Sequence, residues 1–145
     1  MSDSDLASLY SGRILALAAD VPFPGRLEAP QASVRKRSPL CGSTVTVDLD
    51  MDQGRVVRFA QDVKACALGQ AAAAVVGHAV MGRSRAELEA ARDGLRAMLK
   101  GGAVPPAPFD GFEVLTPARD FKNRHASILL AIEAAAEAAA EAEAR

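Results

Sequence analysis

Thr44-Val45-Thr46-Val47-Asp48-Leu49-Asp50-Met51-Asp52-Gln53-Gly54-Arg55-Val56-Val57-Arg58-Phe59-Ala60-Gln61-Asp62-Val63 is the stretch that decides the fold class. From Thr44 to Asp50 apolar and polar residues alternate strictly. Val45, Val47 and Leu49 go to one side, and Thr44, Thr46, Asp48 and Asp50 go to the other. That period of two marks a half-buried strand. Asp52-Gln53-Gly54 supplies a turn, and Arg55 to Val63 returns as a second strand with Val57 and Phe59 facing inward. The two form an antiparallel hairpin.

Working outward, Ala32 to Arg37 reads as a further strand with Val34 as its only bulky apolar residue. Before it, Leu6 to Ala19 has helical spacing of Leu6, Leu9, Tyr10, Ile14, Leu17 and Ala18. Pro22 and Pro24-Gly25 end that helix in a loop. After the hairpin the period becomes helical, with Leu68, Ala72, Val75, Val76, Ala79 and Val80 on one face and Gly82 at the end. Ser84-Arg85-Ala86-Glu87 is a capping-box sequence, in which serine hydroxyl and glutamate carboxylate satisfy free backbone donors at a helix start. Leu88, Ala91, Leu95, Met98 and Leu99 form the buried stripe of that helix, which Gly101-Gly102 terminates. Residues 101–117 hold four prolines and three glycines, the composition of an irregular surface connection. A last helix is expected from His125, docking through Ile128, Leu129 and Ile132, with Glu133 onward solvated and frayed. The order α-β-β-β-α-α-loop-α predicts an α+β domain, a small three-stranded antiparallel sheet with helices packed on one face.

At 145 residues, with 50% apolar and only 4% aromatic residues, the chain is one alanine-rich globular domain. A net charge of −1 argues against a nucleic-acid binder. No apolar run reaches bilayer length, which argues against a membrane partner. The acidic start Met1-Ser2-Asp3-Ser4-Asp5 lacks a secretory signal, so a cytoplasmic location is expected.

In that compartment the two cysteines, Cys41 and Cys66, are expected as free thiols rather than a disulfide. Each lies where the pattern changes, Cys41 before a strand and Cys66 before a helix. At a helix start the free N–H groups and the dipole stabilise a thiolate, and Lys64 adds positive charge. Gly42 permits a tight turn beside Cys41. Two small core hydrophobes are the plainer alternative, which the element-end positions disfavour. His125 opens the last helix and is a ligand only if the fold brings it to the thiols. His78 lies opposite its helix's apolar stripe and reads as exposed. Asp48, Asp50 and Asp52 alternate on a strand without the glycine and distal glutamate of a calcium loop. Arg35-Lys36-Arg37 is a solvated strand end or a contact for an acidic partner. Phosphate-loop, dinucleotide, nucleophile-elbow and C-x-x-C motifs are absent.

Pro39-Leu40-Cys41-Gly42, then Cys66-Ala67 with its alanine-rich helix and Gly82-Arg83-Ser84, then His125-Ala126-Ser127-Ile128-Leu129 together resemble a known family. It is the iron–sulfur cluster assembly scaffold group of IscU, SufU and the NifU N-terminal domain. The motifs resemble P-x-C-G-D, the second-cysteine helix with its G-K-S-type turn, and H-C-S-I-L. The Pro22-Phe23-Pro24-Gly25 loop and opening helix also fit. The likeness runs from about Leu6 to Glu133, within a single domain spanning 1–145 whose Ala/Glu-rich helical tail covers 134–145. The length between Ser84 and His125 is closer to the SufU branch.

The resemblance implies a SufE/NifU-like fold and one site built from three motif loops. That site would hold a transient iron–sulfur cluster or iron, with zinc as the alternative metal. Cys41, Cys66 and His125 are its implied cofactor-binding and metal-binding residues. Implied partners are a cysteine desulfurase and recipient apo-proteins, for a scaffold rather than an enzyme. The alternatives are a zinc-bound sulfur acceptor of the desulfurase and a degenerate member that only binds partners. Two positions depart from the pattern: Ser43 replaces the family's aspartate, and Ala126 takes the place of its third cysteine. The fourth donor of a tetrahedral site must then come from water, a partner or a second copy in a homodimer.

Overall fold

The computed structural model describes residues 10–40 and 42–145. Helix α1 (Gly12–Ala19) precedes three strands, β1 (Ala32–Arg37), β2 (Thr44–Asp52) and β3 (Arg55–Lys64). Helices α2 (Ala67–Ala79) and α3 (Arg85–Leu99), two 3-10 segments and α4 (His125–Glu143) complete the chain. The sheet is antiparallel throughout, in the order β1-β2-β3. Of the expected first helix, Leu6 to Leu9 lie outside the described residues; the rest starts at Ser11, whose hydroxyl accepts from the Ile14 N–H at 3.4 Å.

Cross-strand rows Ala32–Leu49–Phe59 and Val34–Val47–Gln61 present the buried face to the helices. At the turn, Gln53 and Gly54 both have positive φ, 52° and 76°. That is the backbone twist a two-residue hairpin requires, and Gly54 adopts it without steric cost. Beyond the turn the register slips: Met51 pairs with Val56, while Asp50 pairs with Arg58. Val57 is therefore the extra residue of a β-bulge and is 46% exposed, whereas Val56 and Phe59 are buried. The expectation that Val57 faces inward is corrected, because a bulge breaks the period of two.

At its middle, around Asp48, the polar side of β2 is covered rather than solvated. Phe23 and Gly25 exchange backbone hydrogen bonds with Gln61 on the free edge of β3. The chain then crosses the sheet, and Asp48 accepts from Arg26 Nε at 2.7 Å, Ser33 Oγ at 2.6 Å and Leu27 N–H at 3.0 Å. Asp48 is fully buried. Burial alone raises its pKa, but the Arg26, Ser33 and Leu27 contacts outweigh that and hold it below the ordinary carboxylate range.

Helix α4 is the hub of the helical layer, lying on β1 and β2 and packing against α2 and α3. The expectation that the tail is solvated from Glu133 is overturned. α4 runs unbroken to Glu143, and Ala134, Ala135, Ala136, Ala138, Ala139 and Ala142 are all buried. Glu133 and Glu137, spaced one turn apart, pair outward with Arg96 and Lys36 at 2.6 and 3.0 Å. The surface-connection reading of 101–117 is likewise corrected. Asp110–Asp120 is a 3-10 helix that buries Phe112, Val114, Leu115 and Ala118. Phe109 stacks on Phe112 with ring centroids 6.1 Å apart. The prolines exclude a regular α-helix here but not the burial of these apolar side chains.

Helix α2 is buried on nearly every side, from Ala71 through Gly77, with His78 exposed as the sequence implied. The capping box at Ser84 and Glu87 is formed in both directions. No helix among the described residues is long and apolar enough to cross a membrane.

Candidate functional site

Three segments meet at one end of the sheet: the β1–β2 connection, the start of α2 and the start of α4. Cys66 is the N-cap of α2, with extended backbone at φ −67° and ψ 171°. Its side chain is half-buried, and its Sγ lies 3.6 Å from Ser127 Oγ on the first turn of α4. Ser127 Oγ in turn donates to Ser43 Oγ at 3.1 Å. Ser127 and Ser43 are buried, so this hydroxyl pair forms the floor beneath the sulfur.

The two helix starts come this close because Gly69 has no side chain. A methyl group there would sit 2.7 Å from Ser127 Oγ, 2.8 Å from Ala65 Cβ and 3.3 Å from the Ser127 carbonyl oxygen. Burial pushes the Cys66 thiol up, but the Gly69 N–H, the Ser127 hydroxyl, the Leu68 N–H and the Arg124 charge together bring it below the ordinary thiol value. The sequence pointed to the helix start; it pointed to Lys64 for the added charge, but Arg124 supplies it.

The connection from β1 folds back on itself. Ser38 N–H donates to the Ser43 carbonyl at 2.8 Å, and Gly42 N–H donates to the Ser38 carbonyl at 3.1 Å. Gly42 has φ 72°, the tight turn its position implied. Cys41 lies outside the described residues. Leu40 beside it is 72% exposed.

His125 is the first residue of α4 and is half-buried. Its Nε2 is 2.9 Å from the Ala118 carbonyl oxygen, and the ring borders a cavity of about 430 Å³ with Leu99, Lys100 and Lys122. A carbonyl only accepts, so Nε2 is the donor in this bond. Ser127, rather than His125, is the α4 residue against Cys66. Among the described residues no three of His, Cys, Asp and Glu converge. Ser127 was missed as a site residue, because its approach to Cys66 depends on how α2 and α4 cross at Gly69.

The architecture matches that of a solved structure, the N-terminal part of a nitrogen-fixing NifU-like protein from Brucella abortus. The two agree with a TM-score of 0.94 and 43% sequence identity over 97% of this chain and 99% of that one. This chain belongs to the NifU-like N-terminal-domain family. The sequence resemblance had implied this membership. The NifU-like fold also appears, at 23% identity, in the crystal structure of a hypothetical protein (TM-score 0.82, covering 92% of this chain and 98% of that one). It appears again in a candidate iron–sulfur cluster assembly scaffold for the SUF system from Fervidobacterium islandicum. That match has a TM-score of 0.81 and 19% identity over 92% of this chain and 98% of that one. No family model and no curated protein matches the chain.

Proposed function

We propose that this NifU-like protein is a scaffold, not an enzyme, on which an iron–sulfur cluster is assembled and from which it is passed on. The observation that carries the reading is Cys66, a partly accessible thiol whose ionised form is favoured where two helix starts meet. The NifU-like relative and the scaffold candidate sharing this fold support the same reading. Thiolates are the soft donors that iron–sulfur clusters take. Cys66 provides one. Cys41, two positions before Ser43, provides the second, and His125 the third through Nδ1 while Nε2 stays on Ala118. Hydroxyls are poor ligands for iron, so Ser127 and Ser43 act by hydrogen bonding: they hold the sulfur in place and leave the site open to exchange.

Sulfur arrives from a cysteine desulfurase carrying a persulfide. The Cys66 thiolate attacks the outer sulfur, a new S–S bond forms, the old one breaks, and the partner's thiolate leaves. Ferrous iron and a two-electron reductant, a dithiol or a reduced electron-transfer protein, convert the sulfane sulfur to the sulfide of a cluster and free the Cys66 thiolate, and recipient apo-proteins then take the finished cluster.

Anaerobic incubation with ferrous iron and sulfide tests the proposal. The wild-type protein is expected to develop broad visible absorption, lost in Cys66→Ala and Cys41→Ala and weakened in His125→Ala. Stoichiometric zinc with no chromophore would support the zinc-bound sulfur acceptor instead. Equal iron and sulfide in wild type and the Cys41→Ala/Cys66→Ala double variant would overturn the assignment.

A further inference from the structure

The cations of this chain are unevenly neutralised, and the imbalance lies around Cys66. Of the 17 lysines and arginines, nine sit in ion pairs, and Arg119 and Arg145 donate to backbone carbonyls. The six left without an ion pair among the described residues are Arg35, Arg37, Lys64, Lys100, Lys122 and Arg124. All six lie on or next to the segments that meet at the site. Arg37, Thr44 and Lys64 form the last cross-strand row of the sheet, next to the Ser38–Ser43 connection and two residues before Cys66. Arg35 lies two rows on, on the same face, with Thr46 and Asp62, lining an open polar groove of about 330 Å³. On the other side, Lys100 and Lys122 share the cavity beside His125, and Arg124 acts on the Cys66 sulfur. Asp62 is the carboxylate that shares the groove with Arg35 and Lys64. Leu40, 72% exposed, lies in the Ser38–Ser43 connection and adds apolar surface beside these charges.

Two strand spacings separate Arg37 from Lys64, about 10 Å, which is one Debye length at about 0.1 M salt. At that distance salt screens their repulsion only in part, while elsewhere the chain's cations sit in ion pairs or on backbone carbonyls. Exposed apolar surface bordered by charge is common at protein–protein interfaces. A rim of net positive charge sets orientation and speeds encounter with a partner of opposite sign. The groove carries threonines and an aspartate but no aromatic ring on which a nucleic-acid base would stack.

We propose that this cationic collar is the docking surface for a protein with an acidic face, which it orients over Cys66. The inference rests on the reading of Cys66 as the exchange site only for the purpose of docking; the charge pattern stands independently of it. A fluorescent oligoglutamate peptide is the probe, with oligolysine as control. The variants are Arg35→Glu/Arg37→Glu/Lys64→Glu on the sheet side and Lys100→Glu/Lys122→Glu on the other, each shown to be folded by circular dichroism and urea unfolding.

Oligoglutamate is expected to bind the wild type, to shift the amide resonances of Thr44 and Lys64, and to weaken at least about tenfold in each variant and at about 0.3 M salt. Binding no tighter than oligolysine, or unchanged by charge reversal, overturns the proposal. So does tighter binding of duplex RNA or of phosphatidylserine vesicles. Iron and sulfide loading of the charge-reversed proteins is expected to match wild type. Loss of loading in every protein, with peptide binding intact, would instead count against the cluster site alone.

Discussion

Removing residues 134–145 is predicted to unfold the protein rather than trim it. Six alanines of this segment are buried, four of them with no exposed surface at all. At ~0.8 kcal/mol per buried methyl-sized group, their burial contributes on the order of 5 kcal/mol. Truncation also uncovers the faces of β1, β2 and α3 beneath them, and cuts α4 to His125–Glu133, shorter than a helix that holds itself in water. Two clasps go as well, Lys36 to Glu137 at 3.0 Å and Arg85 to Glu143 at 3.7 Å, each exposed and worth little. Domains of this size are stable by about 5–15 kcal/mol, so the loss takes up most or all of that margin. Urea unfolding followed by circular dichroism is the assay. The truncated chain should show no cooperative transition, or one weakened by about 5 kcal/mol or more. A truncated protein within ~1 kcal/mol of wild type, as a frayed tail would give, refutes the reasoning.

Gly69→Ala forces a methyl group against Ser127 and Ala65, and the overpacking cost of about 1–3 kcal/mol exceeds the roughly 1 kcal/mol that alanine gains in a helix. Urea unfolding should show net destabilisation, whereas a gain in stability would show that α2 and α4 can part freely. Asp48→Asn should cost about 1–3 kcal/mol near neutral pH, since Arg26 loses its charged partner and the Ser33 hydroxyl and Leu27 N–H, which use different oxygens of Asp48, cannot both keep an acceptor. The folded Asp48 pKa is lowered, so the stability it confers is present above the unfolded carboxyl value of about 3.9 and is lost as pH falls through the folded value. The gap between wild type and variant should therefore shrink below about pH 4, and a constant gap across that window contradicts the ion pair's role.

How far the sequence could be read depended on whether a residue's neighbours were local. β1, β2 and the capping box were legible because alternation at Val45, Val47 and Leu49, and the Ser84–Glu87 pair, are decided within a few residues. Val57 was misread because a bulge is fixed by the partner strand, not by the strand's own pattern. Alanine hid the tail. Its methyl is equally at home in a solvated helix and against a sheet, and only the Glu133, Glu137, Glu141 stripe hinted that the other faces were buried. At the site, Cys66 was legible as a helix start. Its hydroxyl neighbour was not, because Ser127 reaches the sulfur only through the crossing of α2 and α4 at Gly69.

The measurement that bears most directly on the scaffold reading is cluster transfer. The protein is loaded anaerobically with iron and sulfide, freed of excess reagents, and mixed with an apo-ferredoxin while visible absorption is followed. The account predicts that the chromophore forms only with both Cys41 and Cys66 present, moves to the ferredoxin, and leaves the NifU-like protein colourless. A chromophore that forms without Cys66, or that stays on the protein in the presence of the acceptor, contradicts it.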